Sequence, residues 1–254
     1  MQQDDGASHR KTVSVIIPAL NEERFLRRSV GVVADAAPRH FRDYEIIIVD
    51  DGSTDGTGRI ADELAAADGR ISVIHHDRPH NLGGAFKSGL TRAGMDFVTL
   101  YHGKGGNTAE EMSRIWERAG SADIIVPYTL NSHERPVLRR LISHGLTSAI
   151  GLVAGLKLKY YMHLPLYRRE DLNGIEIRTC SYAFQAEALC KLIRGGCSYC
   201  EVGVTDAFED GGRTRSYRWR NSVAVIACLF RLLWDLRVRG RKAVRDRSDP
   251  NLLP

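Results

Sequence analysis

Two short segments of the chain combine acidic, amide and glycine residues in a way that could bind a nucleotide. Residues Pro18–Glu22 (PALNE) follow one apolar run, and Asp50–Gly52 (DDG) follow the next. A carboxylate at such a place can accept a hydrogen bond from a ring N–H of a nucleobase, and glycine lets the backbone approach a ribose or a phosphate. Each segment alone also fits an ordinary turn. Their succession along the chain favours a nucleotide site.

A third segment could hold an anion. His102, Gly103 and Lys104 follow the fourth apolar run, and two further glycines lead to a helix that begins with a capping box, Thr108-x-x-Glu111. An ammonium group together with glycine amides at the start of a helix forms a reasonable cradle for a phosphate or diphosphate.

The elements that must position these segments alternate in type. Because the strand runs are apolar without polar alternation and are separated by helices, we expect an α/β fold with a mostly parallel sheet covered on both faces. Ligands of such sheets bind at the carboxyl ends of the strands, where the polar segments fall. The predicted strands are 13–17, 44–49, 71–74, 97–101 and 124–126, and the helices between them are 22–36, with Asn21 as its N-cap, 57–67, 82–93 and 108–118.

The second half of the chain is richer in helix. Its pattern predicts an irregular stretch at 160–180 and a strand at 200–204. Predicted helices lie at 135–158, 182–194 and 222–238. The apolar part of the last helix, Ser222–Phe230, is too short to span a bilayer, so contact with a membrane surface is the stronger expectation.

These motifs together resemble the family 2 glycosyltransferases, which have the GT-A (Rossmann-like) fold. VSVIIPALNEERFL and EIIIVDDGSTDGT carry most of the resemblance; NLGG at 81–84, YAFQAE at 182–187, EV at 201–202 and GG at 211–212 point to the polyprenyl-phosphate (dolichol-phosphate) sugar synthase branch. The resemblance covers about residues 12–220 and implies an inverting transferase that uses a nucleotide-diphosphate sugar. It divides the chain into a disordered N-terminus (1–11), a GT-A domain with an α-rich C-terminal acceptor side (12–220), and an amphipathic helix with a basic tail (221–254).

The resemblance also implies which residues hold the donor. Asp51, or alternatively Asp50, would contact the base. The full set of donor-binding candidates is Pro18, Ala19, Leu20, Asn21, Glu22, Asp50, Asp51, Gly52, Asn81, Gly83, Gly84, Gly103, Arg213 and Arg215.

The chain departs from the family at the metal site. The family's Asp-x-Asp motif, which binds Mg²⁺ or Mn²⁺ against the donor diphosphate, is replaced here by His102-Gly103-Lys104. A family arginine is replaced by Glu209, with Arg213 and Arg215 close behind. We therefore expect that no metal is required and that Lys104, with His102, takes over the role of the ion. A nucleotide-binding relative without activity, a changed donor or acceptor chemistry, and a retained Mg²⁺ or Mn²⁺ are the alternatives.

The acceptor side carries Arg139 and Ser143, which share one face of a helix. The matching residues of the family hold the acceptor phosphate, and a solvated basic face is the alternative. A polyprenyl phosphate is the favoured acceptor, and a soluble small molecule is the alternative. A phosphate nucleophile is already ionised and needs no strong general base; a hydroxyl or an amine would need one, from Asp206, Glu209 or Asp210.

The turn after the first strand lacks the glycine-rich Thr-Arg loop of sugar nucleotidyltransferases, which argues against that class of enzyme.

The composition indicates the cellular compartment in which the protein is expected. The chain has 254 residues, 43% hydrophobic and 26% charged, which fits one globular unit. Five cysteines, an odd number, favour a reducing compartment, and the polar first eleven residues lack an apolar signal region. We expect a cytoplasmic protein at the inner face of the membrane.

The net charge of +5 lies in the tail. Residues 237–247 carry six basic side chains and one acid, so the rest of the chain is close to neutral. That distribution argues against nucleic-acid binding. It fits peripheral contact with an anionic membrane or a solvated chain end.

Two further points concern the oligomeric state and a histidine motif. A homodimer stays an open alternative. The histidines of HHDRPH at 75–80 fit turn residues better than metal ligands.

Overall fold

A seven-stranded sheet forms the centre of the protein, which a computed structural model describes over residues 11–104 and 108–205. The strand order is β3-β2-β1-β4-β6-β5-β7, and β6 is antiparallel to both of its neighbours while the other pairs are parallel. The strands are β1 (Thr12–Ala19), β2 (Asp43–Asp50), β3 (Ile71–His75), β4 (Phe97–Leu100), β5 (Ile124–Thr129), β6 (Leu166–Arg168) and β7 (Tyr199–Val204).

Helices cover both faces of the sheet. They are α1 (Leu26–Ala36), α2 (Thr57–Ala67), α3 (Asn81–Arg92), α4 (Ala109–Trp116), α5 (Val137–Ala154), α6 (Arg169–Asn173) and α7 (Phe184–Arg194), with 3-10 turns at Ala37–Arg39 and Ser132–Glu134. Within the described ranges, every helix is too short or too polar to span a bilayer.

Two apolar cores follow from the alternation of side chains along the strands. In β1, Ile16 packs with α3, α5 and α7 on one face, and Val15 and Ile17 pack with α1 and α4 on the other. Because both faces are buried, the central strands are rich in β-branched residues with almost no polar interruption. The expected mostly parallel α/β sheet is therefore confirmed.

Three local expectations are corrected by the structure. The stretch 160–180 is not wholly irregular, since it contains β6 and α6. Helix α1 begins at Leu26 rather than at Glu22; Phe25 is at the N-cap position, where no side chain caps the helix. Asn21 is therefore not a helix cap; it has a left-handed φ of 57° and binds another loop. By contrast, Thr108 caps α4 as predicted, accepting a hydrogen bond from the Glu111 amide at 3.1 Å.

Several predictions fall on residues outside the described ranges. They concern the start of the chain, the glycines of the anion cradle and the C-terminal segment. These are the N-terminus up to residue 10, Gly105, Gly106, Asp206, Glu209, Asp210, Arg213, Arg215 and the segment 221–254.

Candidate functional site

The two acidic and amide turns interlock at the carboxyl edge of the sheet. Asn21 Oδ1 accepts a hydrogen bond from the Thr54 amide at 2.8 Å, and the Glu22 amide donates to Thr57 Oγ1 at 2.8 Å. The Asp51 amide donates to the Ala19 carbonyl at 2.8 Å. The segments 18–22 and 50–56 therefore form one surface, as their placement after adjacent parallel strands predicts.

Asp51 has one carboxylate oxygen that remains available to a ligand. It is 4% exposed, and its Oδ1 accepts hydrogen bonds from His76 Nδ1 at 2.7 Å and from the His80 amide at 2.8 Å. Within the described residues both contacts fall on Oδ1. Its Oδ2 is thus the oxygen that can accept a hydrogen bond from a bound molecule.

Asp50 is engaged on both of its carboxylate oxygens. Oδ1 accepts from the Ser53 amide at 3.1 Å, and Oδ2 lies 3.1 Å from His75 Nδ1. His75 Nε2 lies 3.0 Å from Asp62, and the hydrogen bonds to Asp62 and Asp50 raise the pKa of His75 despite partial burial. Asp50 therefore holds the turn together, and Asp51 is the better candidate of the two for contact with a base.

The glycines of the site serve close packing between loops. A Cβ at Gly52, whose φ is +73°, would lie 2.7 Å from the Arg78 backbone, and a Cβ at Gly103 would lie 2.8 Å from the Pro18 carbonyl. Any side chain there would push two loops apart. These two glycines therefore allow a close contact between loops of the protein, and their approach to a ribose or phosphate stays a prediction.

The segment 102–104 is tied to the end of β1. The Gly103 amide donates to the Pro18 carbonyl at 3.3 Å, and the Gly103 carbonyl accepts from Ser29 Oγ at 2.9 Å. Lys104 follows directly and is partly buried. Its ammonium makes no ion pair with any carboxylate in residues 11–104 and 108–205. Lys104 therefore follows a loop that is fixed to the end of β1, and its ammonium has no ion-pair partner among the described residues.

His102 is neutral at ordinary pH. Burial is the main cause, and the nearby Lys104 and His163 add to it, so that the pKa of His102 falls to about 3. His163 is buried, and its Nε2 lies 3.5 Å from Glu111 Oε1.

The side chains of His102 and Lys104 fit Mg²⁺ or Mn²⁺ poorly, because both ions prefer carboxylate and other oxygen ligands. The segment that replaces Asp-x-Asp offers an imidazole and an ammonium instead. In the part of the chain that is described, the His, Cys, Asp and Glu groups close enough to share an ion lie elsewhere: Asp51–His76–His80 and Asp123–Asp171–Cys197.

The low pKa of His102 makes stability depend on pH. The folded pKa lies below the ordinary value of 6.5, so the unfolded chain takes up a proton first as the pH falls. Stability is full above pH 6.5 and declines below it, by about 2 kcal/mol at pH 5. Urea unfolding of the wild type and of His102→Gln at pH 7.5 and 5.0 measures this difference. An equal loss of stability in both proteins would contradict it.

A second loop packs against the start of α3. The Gly83 amide donates to the Cys180 carbonyl at 2.8 Å, and a Cβ at Gly83 would lie 2.6 Å from the Thr179 carbonyl oxygen. Gly83, Gly84 and Asn81, with its left-handed φ of 64°, thus shape the junction of this loop with the 76–80 loop.

Glu187 holds the 178–180 loop in place. Its carboxylate accepts from the Arg178 amide at 3.0 Å, from the Thr179 amide at 2.8 Å and from Lys191 Nζ at 2.6 Å. Burial alone would raise the pKa of Glu187, but the hydrogen bonds from Lys191, Thr179 and Arg178 outweigh it and lower the pKa. The resemblance included this residue without giving its role.

Replacing Glu187 by glutamine is expected to lower the free energy of unfolding by about 2–4 kcal/mol, because a buried ammonium loses its partner and the amide group opposes a backbone N–H. Urea unfolding at pH 7 measures this. The matched control is Glu176→Gln, since the Glu176 side chain is 71% exposed and pairs with Arg178 at 2.7 Å; its expected change is under about 0.5 kcal/mol. Equal effects would contradict the role of Glu187.

The acceptor candidates lie on α5. This helix starts beyond the carboxyl end of β5, which is parallel to β1 and β2, so its N-terminal part lies at the same edge of the sheet as the turns. Arg139 and Ser143 are both partly buried, one helical turn apart. Four large apolar side chains of the same two turns are exposed: Val137, Leu138, Leu141 and Ile142.

The fold and the acidic turns at its carboxyl edge are those of a GT-A glycosyltransferase. Residues 14–147 match the model of glycosyl transferase family 2. The solved structure of glucosyl-3-phosphoglycerate synthase from Mycobacterium tuberculosis with UDP is similar, with a TM-score of 0.65 and 19% identity over 88% of this chain and 80% of that one.

Two curated relatives have higher sequence identity to this chain. The chain is 32% identical over 217 residues to a polyprenol monophosphomannose synthase of Mycolicibacterium smegmatis, covering 80% of each chain. It is 29% identical over 215 residues to an undecaprenyl-phosphate mannosyltransferase of Micrococcus luteus, covering 80% of this chain and 86% of that one. The chain belongs to glycosyl transferase family 2, and the resemblance inferred from its motifs is confirmed.

Proposed function

We propose that the protein transfers a sugar from a nucleoside-diphosphate sugar to a polyprenyl phosphate. The observation that supports this proposal is the carboxylate of Asp51 at the interlocked turns: within the described residues its contacts fall on Oδ1, which leaves Oδ2 for a ligand, and Lys104 follows the loop that is tied to the same end of β1. An ionised carboxylate selects a base with a ring N–H, such as uracil or guanine. The interlocked turns 18–22 and 50–52 form the donor side of the site. Four residues of the adjoining loops complete it: Asn81, Gly83, Gly84 and Gly103.

The donor diphosphate is held by Lys104 rather than by a divalent ion. As the bond between the anomeric carbon and the diphosphate breaks, negative charge grows on the leaving oxygen. A fixed ammonium stabilises that charge, which is the largest contribution that such a site can make. Neutral His102 can donate or accept one hydrogen bond beside it without adding charge.

The acceptor phosphate is held by Arg139 and Ser143. Its oxygen attacks the anomeric carbon from the face opposite the leaving diphosphate, so the configuration inverts and one C–O bond replaces another. Because the phosphate is already ionised, alignment and charge stabilisation supply the rate without a strong base. The names of the mannosyl-transferring relatives support this acceptor class.

The exposed apolar side chains of α5 support a lipid acceptor. Leu138 and Leu141 are each 64% exposed within a turn of Arg139. Such a pattern suits a helix that rests on the membrane while its basic residues meet phosphate groups. We accordingly place the protein at the cytoplasmic face of the membrane, where the basic segment 237–247 adds attraction to anionic lipid.

The proposal is tested at Asp51. Asp51→Asn is expected to lower kcat/KM for the donor about 30-fold, since a hydrogen bond to a charged acceptor contributes about 2 kcal/mol. Transfer from UDP- and GDP-sugars to undecaprenyl phosphate measures it. Asp77→Asn, an exposed carboxylate in the facing loop, is the matched control and should match the wild type. Equal loss in both variants, or none in either, would contradict the assignment.

Two other functions remain distinguishable by the same assay. Replacement of Asp-x-Asp favours a nucleotide-binding protein without turnover, which would be stabilised by UDP or GDP but would transfer nothing. A soluble acceptor is suggested by the structural similarity to glucosyl-3-phosphoglycerate synthase. Faster transfer to 3-phosphoglycerate than to undecaprenyl phosphate would favour it.

A further inference from the structure

We propose that His76, held in turn by Ser88, is the residue that orients Asp51 for recognition of the base. This inference rests on the proposed nucleotide site and assigns a positioning role to a pair of side chains outside the motif residues. Neither residue contacts the sugar or the phosphates in this account. Their effect is therefore on the affinity and selectivity for the base rather than on the chemical step.

A chain of hydrogen bonds joins the three residues. His76 Nδ1 lies 2.7 Å from Asp51 Oδ1, and His76 Nε2 lies 2.9 Å from Ser88 Oγ. The side chains of His76 and Asp51 are 8% and 6% exposed, so water competes little for either contact. Ser88 lies in the middle of α3, so the helix backbone holds the residue at the end of this series of hydrogen bonds in place.

The chemistry of the partners orders these hydrogen bonds. A carboxylate oxygen of Asp51 accepts, so His76 Nδ1 donates to it, and His76 Nε2 pairs with the Ser88 hydroxyl, which can donate or accept. The His80 amide donates to the same oxygen, Oδ1, at 2.8 Å. Two donors on one oxygen fix the rotation of the carboxylate and aim Oδ2 at the ligand.

The surroundings keep this arrangement from shifting. The rings of His76 and His80 meet edge to face with centroids 4.4 Å apart. A Cβ at Gly84 would lie 2.6 Å from His80 Cβ, so the 76–80 loop seats directly on α3. The 76–80 loop is therefore held between α3 and the turn that contains Asp51, because Gly52 packs against the backbone of Arg78 in this loop.

Two other interpretations of the same side chains are weaker. Asp51, His76 and His80 are close enough to share a metal ion, but both ring nitrogens of His76 are already hydrogen-bonded. A hydrolytic Ser-His-Asp triad would need N–H groups beside the serine to hold an oxyanion, whereas the amides around Ser88 belong to the interior of a helix.

The test compares nucleotides that differ only in the ring N–H. Calorimetry would measure binding of UDP, GDP, pyrophosphate, and the N-methylated form of the tighter nucleotide (N3-methyl-UDP or N1-methyl-GDP). The wild type should prefer the parent nucleotide about 30-fold. His76→Leu should reduce that preference to about 3-fold or less, Ser88→Ala should reduce it in part, and pyrophosphate should bind all proteins alike.

Two further variants separate positioning from structure. His76→Asn keeps an N–H where Nδ1 lies and should recover most of the preference. Thr91→Ala removes another hydroxyl one turn along α3 and should change nothing, because Thr91 Oγ1 only donates to the Ser88 carbonyl. A folded His76→Leu or Ser88→Ala protein with undiminished preference would overturn the assignment. Failure of the wild type to bind either nucleotide would overturn the proposed function and this inference together.

Discussion

Lys104→Ala is expected to lower kcat about 100- to 1000-fold, the usual cost of removing a preorganised group that stabilises transition-state charge. The hydrogen bonds of Gly103 to Pro18 and Ser29 fix the backbone directly before Lys104 at the end of β1, and within the described residues the ammonium has no ion-pair partner. Steady-state transfer at saturating donor measures the change.

Two comparisons accompany this variant. Lys157→Ala removes an exposed lysine far along the chain and should match the wild type. Wild-type transfer should persist in excess EDTA, because the ammonium and not an ion meets the diphosphate. Full loss of transfer in EDTA with recovery on adding Mn²⁺, or a Lys104→Ala protein of normal kcat, would contradict the role of Lys104.

Arg139→Ala is expected to lower kcat/KM for the polyprenyl phosphate about 100-fold, while KM for the donor stays within about twofold. A guanidinium binds phosphate through paired N–H groups, and Ser143 one turn away adds a single hydroxyl. Ser143→Ala should therefore cost less, about 5-fold. Initial rates over a range of undecaprenyl phosphate concentrations separate the two substrates.

The control for this variant is a guanidinium on the preceding helix of the chain, which packs on the other face of the sheet. Arg114 on α4 pairs with Glu110 at 3.3 Å and should be replaceable by alanine without effect. If Arg139→Ala raised the donor KM instead, or changed nothing, α5 would be no more than a solvated basic face.

The sheet could be predicted from the sequence because its strands are buried on both faces. Runs such as Ile46–Val49 have no polar interruption, and this pattern is typical of a parallel strand that is covered on both faces. β6 was not predictable in this way. It has three residues, pairs over two positions with β4 and with β5, and carries no periodicity of its own.

The limits of local patterns are clearest at Asn21. Asparagine before an apolar periodic stretch is a common helix cap, and this pattern predicted a helix from Glu22. Its side chain instead binds Thr54, 33 positions away, and this contact joins the two turns of the site. A pairing between distant loops leaves no periodic trace in a single sequence.

The residues of the candidate site also differ in how far the sequence alone could predict them. Asp51 and Lys104 could be proposed from residue type and from their place after strands. The roles of His76, Ser88 and Glu187 depend on contacts between separate loops and helices, so only the three-dimensional structure reveals them. The HHDRPH motif offered the one sequence indication, and it pointed to turn residues or a metal rather than to support for a carboxylate.

The central claim is that an ammonium takes the place of a metal ion against the donor diphosphate. A crystal structure of the protein with the tighter-binding of UDP and GDP, grown with Mn²⁺ present, tests it most directly. We expect Lys104 Nζ to lie about 2.7–3.2 Å from a diphosphate oxygen, with no ion between them. A Mn²⁺ ion bridging both phosphates, with the Lys104 side chain turned toward solvent, would contradict it.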